Sequence, residues 1–132
     1  MGMFRDIEDA REYFSHDKYA VLSGITVDEM TENSGVCSMT ITDDHRNSVG
    51  GVMGGAIFTL ADVAAAVAVN NVHRPTIAMN ANIHFLSGTK GTKLIASSRI
   101  VKTGRTTSVA EVTVTDDLGK EIALFTSTGF KL

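Results

Sequence analysis

The spacing of polar and apolar residues changes character twice along this 132-residue chain. Over residues 4–16, Phe4, Ile7, Ala10, Arg11 and Phe14 recur at helical spacing, with Asp6, Glu8, Asp9 and Glu12 between them. That pattern predicts a short amphipathic helix. Residues 25–31 and 35–42 read as two strands separated by the turn signal Glu32-Asn33-Ser34-Gly35. Then the periodicity disappears. From Ala56 to Val69 only Thr59 and Asp62 are polar, so no solvent face fits a 3.6-residue wheel, which predicts a buried helix. Asn70-Asn71 ends it, and Arg74-Pro75 forbids its continuation. Beyond Pro75 the period becomes two. Ile77, Met79, Ala81, Ile83 and Phe85 alternate with Ala78, Asn80, Asn82 and His84. Three more strands over 93–102, 106–115 and 121–130 follow, joined by Thr103-Gly104-Arg105 and Asp116-Asp117-Leu118-Gly119.

Strands in runs, tight turns and one embedded helix predict an α+β fold with an antiparallel sheet. The length suits one domain spanning residues 1–132, with residues 1–18 as an N-terminal helical segment. A small sheet can wrap only part of an all-apolar helix. The rest of its cover is expected from the N-terminal segment and a second subunit. The apolar run of roughly 14 residues falls short of the roughly 20 that a bilayer needs, and it contains an Asp, so no membrane span is expected.

Composition narrows the picture only slightly. A net charge of -3 supplies no basic field for nucleic acid or anionic membrane, so an anionic ligand needs a local basic cluster. The N-terminal MGMFRDIEDAREYF has no apolar signal core, and the expected compartment is the cytoplasm. The single Cys37 alternates with Met39 and Ile41 and reads as a reduced core thiol. His16, His45, His73 and His84 lack ligand spacing, so no metal site is expected. His45, between Asp44 and Arg46 in a polar loop, reads as an exposed loop residue.

Candidate chemistry concentrates in GGVMGGAIFTLADVAAAVAVN, residues 50–70. Asp62 shares its helix face with Phe58, Thr59, Ala65 and Ala66, none of them cationic. A buried carboxylate without a partner is costly and is retained for chemistry more often than for structure. The glycines Gly50, Gly51, Gly54 and Gly55 let backbone approach a substrate closely, just before a helix start with unpaired N–H groups.

This sequence resembles the PaaI-type acyl-CoA thioesterases, named for phenylacetate degradation, which have the hotdog fold: a curved antiparallel sheet around a long central helix. Asn47, Gly50, Met53-Gly54-Gly55 and Asp62 stand at that family's signature spacing, and IHFLSGTKGTKLIASSRIVKTGRTTSVAEVTV resembles its downstream strands. The resemblance implies hydrolysis of an acyl-CoA to free acid and coenzyme A. It implies Asp62 as base or nucleophile, Asn47 orienting water or thioester, and the Gly54 N–H as oxyanion donor beside Gly55. Two positions depart from the pattern. Met53 replaces the family's His, and a strand hydroxyl is missing, with Asn80 as its stand-in. Coenzyme A phosphates call for cations, and Lys90, Lys93, Lys102 and Arg105 gather at two turns, with Gly104 adding backbone donors. No cofactor is implied, coenzyme A being part of the substrate. The family's habit implies a homodimer or homotetramer. Two alternatives stay open: a non-catalytic acyl-CoA binding protein, and a hotdog hydratase or dehydratase.

Overall fold

A computed structural model describes residues 2–132. The elements in order are α1 (Ile7–Phe14), α2 (Lys18–Leu22), β1 (Ile25–Thr31), β2 (Ser34–Thr40), α3 (Gly54–Val72), β3 (Thr76–Phe85), β4 (Lys93–Thr103), β5 (Thr107–Asp116) and β6 (Glu121–Lys131). The predicted succession of helix, two strands, helix and four strands is present. The added element, α2, is only five residues long, too short to show a helical period in sequence.

All strands pair antiparallel in one sheet of order β1-β2-β4-β5-β6-β3, and α3 lies against its inner face. The burial of β5 alternates strictly. Ser108, Ala110, Val112 and Val114 face inward, while Thr107, Val109, Glu111 and Thr113 are half-buried on the outer face. The core fills between the sheet and Leu60, Ala61, Ala64, Val67 and Ala68 of α3. Small side chains let the helix sit close. Ser98 Oγ donates to the Ala64 carbonyl of α3 at 2.7 Å and to the Gly35 carbonyl at 3.1 Å.

α3 is longer than its predicted span. It continues through Asn70 and Asn71 to Val72, because both asparagines spend their amides on buried ties instead of stopping the helix. Asn70 Oδ1 accepts from Thr76 N at 2.9 Å, fixing the start of β3. Asn71 Oδ1 accepts from Phe4 N at 2.9 Å, and its Nδ2 donates to the Thr31 carbonyl at 3.0 Å. At 19 residues, α3 is by length and composition long enough to cross a membrane. Here it is the core helix, packed against β2, β4 and β5.

The two sheet edges differ. At β1, α1 packs against the edge, and Arg11 Nε donates to the Val27 carbonyl at 2.9 Å. The aromatic cluster Phe4, Tyr13 and Phe14 holds that segment down. At β3 none of the described residues covers the edge: Ile77 is 52% and Met79 63% exposed. An open edge with apolar side chains is a template for a further strand. The remaining uncovered strip of α3, carrying Thr59, Asp62 and Ala66, is half-buried.

Candidate active site at the start of α3

Asn47 builds the loop that leads into α3. Its N–H donates to the Gly51 carbonyl at 2.8 Å, and its carbonyl accepts from Gly50 N at 3.0 Å. Its Oδ1 accepts from Val49 N and Gly51 N, both at 3.1 Å. Gly50 turns the chain at φ +87°, a conformation that favours glycine. The side-chain oxygen is therefore committed to the loop, while Nδ2 donates to none of the described residues. Asn47 can act outward only as a donor.

The first turn of α3 is open in the same sense. Met53 precedes the helix, and its thioether cannot cap it. Ala56 N and Ile57 N reach the Met53 carbonyl, at 3.0 and 3.4 Å. Gly54 N and Gly55 N donate to nothing among the described residues. Two free N–H groups at a helix start carry partial positive charge. Gly54 is held close to Phe85: a Cβ here would stand 2.9 Å from the ring's Cζ. Asn47, Gly54, Phe85, Leu86, Ser87 and Thr89 border a cavity of about 500 Å³. A second cavity of about 450 Å³, between α1 and β1, contains none of the predicted site residues.

Asp62 lies elsewhere. It follows Gly54 by eight residues, about 12 Å along the helix, and does not border that cavity. Its carboxylate has no hydrogen bond or ion pair among the described residues. Burial, reinforced by the Asp17 carboxylate, pushes its pKa above the usual range. Asp17 opens α2 without capping it and is itself raised by burial. Thr59, one turn before Asp62, bonds back to the Gly55 carbonyl at 2.8 Å and is not a partner.

The other predicted residues are spread out. Met53 is 53% exposed beside the glycine turn, and Asn80 is exposed at a bulge on β3, opposite Thr128. Lys90 and Lys93 sit at one end of β4, whereas Lys102, Gly104 and Arg105 sit at the other. Eleven extended residues span about 33 Å, so within one chain these cations form two separate groups, one at each of the two turns. His45 is a correction too. It is buried, its Nδ1 accepts from Thr42 N at 3.0 Å, and its Nε2 donates to the Ser23 carbonyl at 2.8 Å. It belongs to the loop's framework. The Cys37 thiol is buried and pushed up to about 12, chiefly by burial, which makes it a poor nucleophile. Among the described residues no group of His, Cys, Asp or Glu could hold a metal ion. Phe85, Thr89 and Asp17 had no signal in the sequence, because their places depend on strand pairing and on the undetected α2.

The sheet around a long central helix is the hotdog fold, and known proteins share it. The E. coli PaaI protein from the phenylacetic acid degradation operon superposes with a TM-score of 0.88 at 28% identity, covering 93% of this chain and 90% of that one. In sequence, acyl-coenzyme A thioesterase PaaI of Escherichia coli (strain K12) is 31% identical over 119 residues, 89% of this chain and 85% of its own length. A Streptococcus mutans UA159 protein, solved bound to acetyl CoA, is 29% identical with a TM-score of 0.76, covering 80% of this chain and 86% of that one. The family model of the thioesterase superfamily matches residues 49–123, from the glycine turn through α3 into β6, and the chain belongs to that superfamily.

Proposed function

We propose that this protein hydrolyses an acyl-CoA thioester to a carboxylic acid and coenzyme A. The observation that carries the reading is the pair of free N–H groups at Gly54 and Gly55, at the start of α3, with Gly54 bordering the cavity. A thioester carbonyl placed there gains a donor and a positive helix end as its oxygen takes up negative charge. Asn47 Nδ2 supplies a further donor at the same cavity wall. The family names of the relatives support the substrate class: the E. coli protein is an acyl-coenzyme A thioesterase, and the S. mutans structure contains acetyl CoA.

The carboxylate comes from the partner in this reading. Asp62 lies outside its own chain's cavity, on the uncovered strip of α3, and the open β3 edge offers a route for two copies to join. A homodimer, or two such dimers as a homotetramer, then sets Asp62 of one copy against Asn47 and Gly54 of the other. Asp62 either takes a proton from water, whose oxygen adds to the carbonyl carbon, or adds to that carbon itself to form an anhydride that water then opens. In both routes the C–S bond breaks, and the departing thiolate gains a proton. A raised pKa makes the carboxylate a better base. Lys90 from one turn and Lys102, Gly104 and Arg105 from the other are the proposed groups for the nucleotide end, and Asn80 and Met53 flank the reacting end. No cofactor is needed, and a reducing compartment such as the cytoplasm suits the substrate.

Met53 favours a second reading, a binding protein without turnover, because a thioether donates no hydrogen bond where the family signature has a His. A hydratase is disfavoured, since both ring nitrogens of His45, the nearest histidine in sequence to the glycine turn, are already engaged. A screen of acyl-CoAs differing in chain length and aromaticity, read by release of the free thiol, tests the proposal. Thiol release on at least one supports it. Tight binding of coenzyme A with no release on any of them transfers the case to the binding protein.

A further inference from the structure

The turn between β5 and β6 carries two adjacent carboxylates that serve a loop far from them in sequence. Asp116 is 3% exposed. Its Oδ2 accepts from Thr89 Oγ1 at 2.6 Å, and its Oδ1 accepts from Leu118 N and Lys120 N at 3.0 and 2.9 Å. Asp117 accepts from Thr92 N at 2.9 Å, Thr92 Oγ1 at 2.8 Å and Lys93 N at 3.3 Å. The opposite end of the loop is held by β6: Leu86 N donates to the Ile122 carbonyl at 2.8 Å. Gly91 fits flush between the two layers, since a Cβ there would stand 2.1 Å from Asp117 Oδ1. The stretch 86–93 has no regular structure before β4 begins, yet it is tied at residues 86, 89, 92 and 93. Between those ties, Ser87, Gly88 and Thr89 border the cavity at Asn47, and Lys90 is left exposed at the crest.

We infer that Asp116 and Asp117 are positioning residues for substrate, clamping the 86–92 loop so that Lys90 at its crest meets the nucleotide half of acyl-CoA in a preset geometry. The inference rests on the acyl-CoA reading above. A carboxylate buried under a cationic loop would ordinarily pair with its cation; here the hydrogen bonds satisfy both acids and leave Lys90 free of them. Thr89 and Thr92 in turn lower the Asp116 and Asp117 carboxyls below the usual range, so the clamp stays ionised at neutral pH. Preset loops bind without a further ordering cost, and a loosened loop weakens binding more than it slows chemistry.

The test compares an acyl-CoA with the same acyl group on N-acetylcysteamine, which lacks the nucleotide. In Asp116→Ala and Asp117→Ala the KM for acyl-CoA should rise about tenfold, the size expected when charged hydrogen bonds are lost, with kcat within about twofold. The truncated thioester should change by less than about twofold in kcat/KM. Asp116→Asn keeps an acceptor for the turn and a group to meet Thr89, and should restore most of the affinity. Asp117→Ala, at an exposed site, keeps the test open if Asp116→Ala fails to fold. Unchanged KM with lowered thermal stability would show a purely structural tie and overturn the inference. Equal losses on both thioesters would overturn it too, by showing that the clamp serves the reacting end and not the contact of Lys90 with the nucleotide. If wild type turns over neither thioester, the hydrolase reading fails by itself. Calorimetry with coenzyme A then decides the clamp: a tenfold weaker Kd in the variants supports it, and an unchanged Kd or no binding in wild type overturns it.

Discussion

Replacing Asp62 by Asn should make the protein more stable and nearly inactive, two effects in opposite directions from one atom exchange. The carboxylate is half-buried, has no donor or cation among the described residues, and lies within electrostatic reach of Asp17. Its charge is therefore a cost to the fold. Discounted for the side chain's partial exposure, removing that charge should stabilise by at most about 1 kcal/mol. For a chain of this size that is a rise of about 3–5 °C in Tm. Burial and Asp17 raise the folded-state pKa above the unfolded one, so the native state holds the proton more tightly. Wild type should accordingly gain stability as pH falls from neutral into the carboxylate range, and Asp62→Asn should lack that increment. Loss of a base or nucleophile should meanwhile lower kcat by about 10²–10⁴. Thiol release gives the rate and scanning fluorimetry at several pH values gives Tm. Equal kcat in both proteins, or a Tm several degrees lower in the variant, would refute the reasoning by making Asp62 a structural acid.

Three other outcomes follow from the same geometry. Asp17→Asn removes a like charge and should move the acid limb of the kcat/KM profile to lower pH, whereas an unmoved limb separates Asp17 from the chemistry. Met53→His restores a donor beside the oxyanion turn and should raise kcat on at least one acyl-CoA by up to the roughly 10²-fold that a full donor contributes; no gain on any substrate would make the backbone N–H groups sufficient. Met79→Lys on the open β3 edge should convert an oligomer into monomers by light scattering and abolish hydrolysis together, and an active monomer would end the shared-site proposal.

Much of the fold was legible because the sheet strands alternate and α3 does not. Both patterns reflect burial on one side or on all sides, a property of single residues and their near neighbours. The end of α3 was not legible. Asn70 and Asn71 resemble a stop, and only their bonds to Thr76, Phe4 and Thr31 show why the helix runs through them. How far apart the two turns carrying Lys90, Lys93, Lys102 and Arg105 lie was not legible either. Residues about a dozen apart are close in sequence, but a fully extended strand sets them at its two ends. The glycine turn and Asp62 stood out as unusual residue types in an apolar setting. Phe85, Thr89 and the paired acids of the β5–β6 turn looked like ordinary strand and turn residues, and their neighbours are supplied by strand order alone.

The distance along α3 between Gly54 and Asp62 also has a genetic meaning. If each working site takes its glycine turn from one chain and its carboxylate from the other, a chain with a damaged turn and a chain with Asp62→Asn are both dead as homodimers. Together in one cell they form mixed dimers in which one of the two sites unites an intact turn with an intact carboxylate. Two null alleles of this single gene should then complement each other, as alleles of separate genes do.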